Sequence, residues 1–264
     1  MELGLAGRTA LITGGSKGIG LAIARKLAAE GCHLHLNARS ADALEAARAA
    51  IVAAHDVRVA CHPLDLSVPQ HTADLARACD GVDILVNNAG GVPGGPLEEA
   101  TDDKWRQGFD LKVFATVNLT REVYLQMKAR GDGVIINVIG NCGERPDPEI
   151  IIATIANTGL MGFTRALGAA AARHGVRVVG INPGPTLTER LELLMKMKAR
   201  ERFGDEDRWR ELMAPLPMGR AGTPEEIADL TVFAASPRAS YISGTIMTAD
   251  GGWAQTGAPL NFEV

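Results

Sequence analysis

The stretch from Leu11 to Gly20 reads L-I-T-G-G-S-K-G-I-G, and it restricts what this chain can fold into more than any other segment. An apolar run ends in a cluster of glycines, and a helix-forming sequence, L-A-I-A-R-K-L-A-A, follows at once. Gly14 permits a tight turn, while Gly18 and Gly20 carry no side chain to hold a ligand away from the backbone. The first turn of a helix has unpaired N–H groups and the positive end of the helix dipole. This strand–turn–helix unit therefore predicts a pyrophosphate site formed by Gly14, Ser16, Lys17, Gly18, Ile19 and Gly20.

The rest of the chain alternates in the same way. Short β-branched runs over 8–13, 33–37, 57–62, 83–86, 133–138, 176–181 and 242–248 predict strands. Helices are predicted over 19–30 and 41–54, and from a cap at Ser67 to about Cys79. A long helix should run from a cap at Thr101 through Trp105, Phe109 and Tyr124, followed by helices over 150–174, 189–203 and 206–213. The last helix, 223–235, has Thr223 as N-cap and Pro224 in its first position. Such alternation implies a parallel sheet covered on both faces, and right-handed crossovers make it a doubly wound, Rossmann-type α/β fold in three layers. The richest break, 90–96, is too short for a linker, so residues 1–264 are read as one domain.

A net charge of -4 argues against a nucleic-acid or anionic-membrane partner. No run reaches the ~18 apolar residues of a membrane span, and Gly14 and Gly15 interrupt the first apolar stretch before it resembles a secretory leader. Cys32, Cys61, Cys79 and Cys142 form no C-x-x-C pair, so reduced thiols, no metal and a cytoplasmic setting are expected.

Several ordered motifs resemble the short-chain dehydrogenase/reductase family over about residues 5–253. These are the T-G-x-x-x-G-x-G spacing from Thr13, the L-D-L at Asp65, and Asn87-Asn88-Ala89-Gly90. Pro183-Gly184 with Thr188, Gly219-Arg220 with Pro224-Glu225-Glu226-Ile227-Ala228, and Asp250-Gly251-Gly252 complete the set. The resemblance implies a nicotinamide dinucleotide contacted by Asp65, Leu66, Asn87, Ala89 and Gly90 on its adenosine side. Pro183, Gly184 and Thr188 would lie over the nicotinamide. At the end of the second strand, where an acidic residue would select NAD, the chain has Ala38, Arg39 and Ser40. A guanidinium can grip a 2′-phosphate with two hydrogen bonds. Arg39, with Lys17 and Ser40, therefore predicts NADP over NAD.

The resemblance fails at the residues the family uses for proton transfer. In register with the flanking segments 135–138 and 160–167, the serine position holds Gly140, the tyrosine Ala153, the lysine Asn157 and the asparagine Lys112. The chain's tyrosines, Tyr124 and Tyr241, lie elsewhere. A positioned acid or base contributes about 10²–10⁴ in rate, so hydride transfer would be weakened rather than excluded if another group supplied the proton. Lys112 is the first candidate, because a desolvated ammonium becomes a better acid. Asn157 can contact the nicotinamide ribose, and Asn141, Cys142, Glu144 and Thr154 are candidates for substrate contact. Residues 187–217, with Met195, Met197, Phe203, Trp209, Leu212 and Met213, resemble a substrate lid suited to a hydrophobic small molecule, a subunit contact or packing within the protein.

Three functions stay open: an oxidoreductase acting on an alcohol, carbonyl or activated double bond, a non-catalytic dinucleotide-binding protein, and a non-redox enzyme reusing the pocket. The alanine-rich helices over 101–130 and 150–174 predict a homotetramer or dimer, as the family commonly forms.

Overall fold

The computed structural model describes residues 2–256. Seven strands form one parallel sheet in the order β3-β2-β1-β4-β5-β6-β7. They are β1 (Thr9–Thr13), β2 (His33–Ala38), β3 (Val59–Pro63), β4 (Ile84–Asn87), β5 (Gly133–Val138), β6 (Val176–Pro183) and β7 (Thr245–Ala249). The helices are α1 (Gly18–Ala29), α2 (Ala41–Ala54), α3 (Pro69–Ala78), α4 (Asp102–Phe109), α5 (Ala115–Arg130), α6 (Ile151–Ala171), α7 (Glu189–Phe203) and α8 (Pro224–Ala235). Strand order reverses between β1 and β4, and the crevice of a doubly wound sheet opens at such a reversal.

The central strands are apolar on both sides because helices cover both faces. One core packs α1, α2 and α8 through Ile23, Leu27, Leu44 and Val232. The opposite core packs α3 and α5 through Leu75, Leu119, Val123 and Met127. Gly168 of α6 sits so close to the β7 side that a Cβ there would lie 2.3 Å from the Gly244 nitrogen and 2.4 Å from its Cα. Backbone cannot retreat as a side-chain end can. Gly168→Ala should therefore cost about 1–3 kcal/mol of unfolding free energy, read by urea denaturation; a wild-type midpoint would contradict this packing.

Beyond shifts of a few residues at strand and helix ends, four features differ from the sequence expectation. Ser67 does not cap α3, which begins after Val68; its N–H and hydroxyl instead donate to Asp65 Oδ1 at 3.0 and 2.8 Å. The long helix starting at Thr101 is interrupted by a π-helical turn, Asp110–Phe114. Residues Glu206–Met213 form 3₁₀ turns rather than an α-helix. The last strand starts only at Thr245, because Gly244 with φ +68° belongs to the turn before it. Thr223 does cap α8, in a reciprocal capping box with Glu226.

Candidate active site

The glycine turn after β1 is held by the chain entering from β4. The Asn88 and Ala89 N–H groups donate to Thr13 Oγ1 at 2.9 and 3.0 Å, and Asn88 Nδ2 donates to the carbonyls of Thr13 and Gly14 at 3.0 and 3.3 Å. Gly14 and Gly18 have positive φ, +66° and +55°. A Cβ on Gly20 would lie 2.2 Å from the Gly14 carbonyl oxygen, so only glycine lets α1 start this close to the turn. No side chain caps α1 and no acidic residue lies in its first turn. Its N–H groups remain open to an anion, as a pyrophosphate site requires. Thr188 closes the loop after β6 against this turn, its Cγ2 being 3.3 Å from where a Gly18 Cβ would stand.

Beside the turn is a cleft of about 530 Å³ lined by Arg39, Asp65, Ser67, Gly91, Gln107 and Arg190, among others. Asn37, near the end of β2, buries its amide and donates to the carbonyls of His62 and Leu64, both at 3.0 Å, which fixes the chain leading to Asp65. The Asp65 carboxyl is held below its usual range, mainly by the Ser67 N–H and also by Arg39. Arg39 is exposed and faces the cleft. The Ser40 hydroxyl caps α2 by accepting from the Ala43 N–H. Lys17 is exposed. The second cation on the cleft is Arg190 of α7, whose guanidinium donates to the Val92 carbonyl at 3.4 Å; nothing in its spacing marks it in the sequence. Leu66 is buried as core, and Asn87 donates its amide to Thr120 Oγ1 and Asn137 Oδ1 inside the sheet.

At the far end of the crevice lies Lys112. It sits in the π-helical turn, is only 6% exposed, and donates from Nζ to the carbonyls of Val138 and Ile139 at 3.0 and 2.8 Å. An exposed helix cation near Asp110 is thereby ruled out. Burial pushes its ammonium down from 10.5 to about 8. Two of its three protons are given to carbonyls. Its stem crosses bare backbone: a Cβ on Gly90 would be 2.4 Å from Lys112 Cδ.

Asn157 lies at the same place. Its Nδ2 donates to the Gly140 carbonyl at 3.3 Å and to Cys142 Sγ at 2.9 Å, and its buried Oδ1 has no partner among the described residues. A free buried acceptor of this kind fits a ribose hydroxyl. Burial pushes the Cys142 thiol up, which keeps it protonated and unlike an activated nucleophile. The other candidate residues are paired elsewhere. Asn141 donates to Asp250 Oδ2 at 3.2 Å, Glu144 accepts from Thr248 Oγ1 at 2.8 Å, and Thr154 exchanges hydrogen bonds with the backbone of Asp147. Gly184 packs on Asp250, where a Cβ would come within 2.6 Å of the aspartate Cβ.

Residues 8–199 match the family described as short chain dehydrogenase. The chain is 38% identical over 251 residues to a galactitol 2-dehydrogenase (L-tagatose-forming) of Cereibacter sphaeroides, spanning 94% of this chain and 96% of that protein.

The chain belongs to the short-chain dehydrogenase/reductase family.

Among solved structures, L-sorbose reductase from Gluconobacter frateurii, complexed with NADPH and L-sorbose, superposes with a TM-score of 0.92 at 35% identity, covering 97% of this chain and all of that one. A D-beta-hydroxybutyrate dehydrogenase of Cupriavidus necator is 34% identical over 256 residues, covering 94% of this chain and 98% of that protein. Gly140 has φ +123°, and a Cβ there would meet Asn157 Nδ2 at 2.8 Å. The backbone itself departs from what a serine tolerates. Tyr124 packs against the α3–α5 core and Tyr241 is fully exposed.

Residues 187–217 divide their apolar side chains between a buried cluster and an exposed face that includes Leu193 and Leu194. Met195, Trp209, Leu212, Met213 and Leu216 are buried together with Trp253, while Met197 is 63% exposed. No helix among the described residues is long and apolar enough to cross a membrane.

Proposed function

We propose that this protein is an NADP-dependent oxidoreductase acting on a small alcohol or carbonyl compound, with Lys112 as its proton donor and acceptor. The observation that carries the reading is the ammonium of Lys112, buried at the end of β5 beside the positions where the family keeps its serine and lysine. The charge expected from α6, where Asn157 stands, is delivered instead from the π-helical turn.

A reduced nicotinamide, when bound, supplies the hydride. The open N-terminus of α1 holds the pyrophosphate, Asn157 Oδ1 accepts from the ribose, and residues 187–217 act as the lid that excludes water. Lys112 gives its third proton to the carbonyl oxygen as the carbon becomes an alcohol, and the resulting neutral amine recovers a proton from solvent. In the oxidative direction the neutral amine takes the hydroxyl proton. Polyols and ketoses are the substrates to test first, because galactitol and L-sorbose are named for two relatives. The test is a screen of such compounds following NADPH absorbance. Turnover of at least one, abolished in Lys112→Met, is the expected result. Tight NADPH binding without turnover of any alcohol or carbonyl would instead favour a non-catalytic dinucleotide-binding protein, the reading that Gly140 and Ala153 support.

Selection of NADP is assigned to Arg39, with NADPH complexes among the structural relatives as support. Arg39→Ala should weaken NADPH binding by about 10–100-fold, as loss of a charge-assisted pair at a phosphate implies, and leave NADH within about twofold. An equal loss for both nucleotides would remove Arg39 from that role.

A homotetramer or dimer is assigned to the faces of α5 and α6, where Leu125 and Ile155 are 55% and 47% exposed. Light scattering should give a mass of two or four chains; a monomer at micromolar concentration would refute it.

A further inference from the structure

The sequence shows no metal-binding spacing, yet the fold brings two histidines and a cysteine together from three separate elements. His35 is on β2, His62 on β3, and Cys79 follows the last turn of α3. His35 Nδ1 lies 2.8 Å from His62 Nε2, His62 Nε2 lies 3.5 Å from Cys79 Sγ, and all three atoms fall within 4.8 Å of one another.

We propose that His35, His62 and Cys79 form a binding site for a divalent, thiophilic transition-metal ion of the zinc class, separate from the dinucleotide crevice. Tetrahedral zinc with Zn–N near 2.0–2.1 Å and Zn–S near 2.3 Å needs ligand atoms roughly 3.3–3.7 Å apart. The His62–Cys79 pair already meets that spacing, the imidazole pair needs to open by about 0.5 Å, and His35 and Cys79 lie within 4.8 Å of each other.

The surrounding structure prepares the ligands. The parallel pairing of β2 and β3 sets Asn37 opposite His62, and Asn37 Nδ2 clamps the His62 carbonyl at 3.0 Å, so the His62 backbone is fixed. The cysteine sulfur selects a thiophilic ion over magnesium and calcium, which take oxygen ligands. Both imidazoles are half-buried, which leaves an entry path and a fourth coordination position for water. The neighbouring candidates are otherwise engaged: His33 Nδ1 accepts from the Arg58 N–H at 3.1 Å, and Cys61 lies against the Leu44 carbonyl at 3.5 Å on the other face of β3. The site is at the β3–β2 edge of the sheet, with β1 and β4 between it and the β5 end where Lys112 sits.

Cobalt(II) is the probe, because a thiolate–cobalt bond gives a near-ultraviolet charge-transfer band and tetrahedral cobalt an intense visible one. Titration of the full chain should show both bands, saturating at one cobalt per chain and displaced by zinc. Cys79→Ser should remove the thiolate band, His35→Gln should weaken binding at least tenfold, and Cys61→Ser should leave the titration unchanged. Absence of the thiolate band in the wild-type protein, or its survival in Cys79→Ser, would overturn the proposal. If Cys79→Ser fails to fold by circular dichroism, His35→Gln decides: wild-type cobalt affinity there overturns the site, and a tenfold loss supports it.

Discussion

Replacing Lys112 by methionine is expected to lower kcat by about 10²–10⁴-fold, the range for loss of a positioned acid or base, while NADPH binding stays within about threefold. Methionine keeps the length and apolar stem that crosses Gly90 but has no proton to give. A uniform loss of NADPH affinity with unchanged kcat would instead make Lys112 a packing residue. Gly90→Ala supplies an independent check, because its Cβ would occupy the path of the Lys112 stem and should lower kcat without touching the ammonium chemically.

The pH dependence has a definite sign. Reduction needs the ammonium, so its rate should be flat below about pH 8 and fall by up to tenfold per pH unit above it; oxidation should show the mirror image. The folded pKa of Lys112 is lowered, so between about 8 and 10.5 the unfolded chain binds more protons than the folded one. The cost of burying the charge is therefore present at neutral pH and disappears as pH rises through that window. Wild-type protein should gain up to about 3 kcal/mol on Lys112→Met between pH 7 and 10.5, read by denaturant titration of both. Referring each measurement to the variant removes the common contributions of Cys32 and Cys79, whose thiols burial pushes up to about 12. A constant difference across that range would show that the ammonium is not desolvated.

Substitution of Gly20 by valine should abolish measurable NADPH binding, a loss of more than about 100-fold. The new Cβ alone would lie 2.2 Å from the Gly14 carbonyl oxygen and 2.5 Å from Asn88 Nδ2, and both are fixed parts of the turn. The start of α1 must then swing away, taking with it the N–H groups that face the pyrophosphate. Gly20→Ala makes the same demand with one carbon and should retain more of the fold while still losing at least about tenfold in affinity. Wild-type NADPH affinity in a folded Gly20→Ala protein would mean that the dinucleotide is not bound at this helix end.

These two experiments differ in how far their targets were visible beforehand. Gly20 stands in a glycine spacing whose purpose is local, a backbone turn within ten residues, and local constraints are written directly into sequence. The same is true of the strand–helix alternation and of Thr223 with Glu226, which satisfy one helix end between them. Lys112 was nameable only as the residue at a substituted position. A lysine in a mixed helix reads equally well as a solvated cation, and only the π-helical turn and the bare backbone of Gly90 take its ammonium to the carbonyls at the end of β5.

Residues that act through distant partners were the least legible. Asn88 is the latch on the glycine turn, yet its hydrogen bonds join positions more than seventy residues apart. Arg190 reaches the crevice from a segment with no fixed pattern. Asn141, Glu144 and Thr154 look available in sequence and are instead paired with Asp250, Thr248 and Asp147. The order of hydrophobic, glycine and capping residues determined the layers of this protein, the parallel sheet and the anion-receiving helix end, because each depends on neighbours along the chain. The tertiary structure alone decided which polar groups are buried, paired or left free, including the ammonium of Lys112 and the His35–His62–Cys79 cluster, because hydrogen bonding and desolvation depend on neighbours in space.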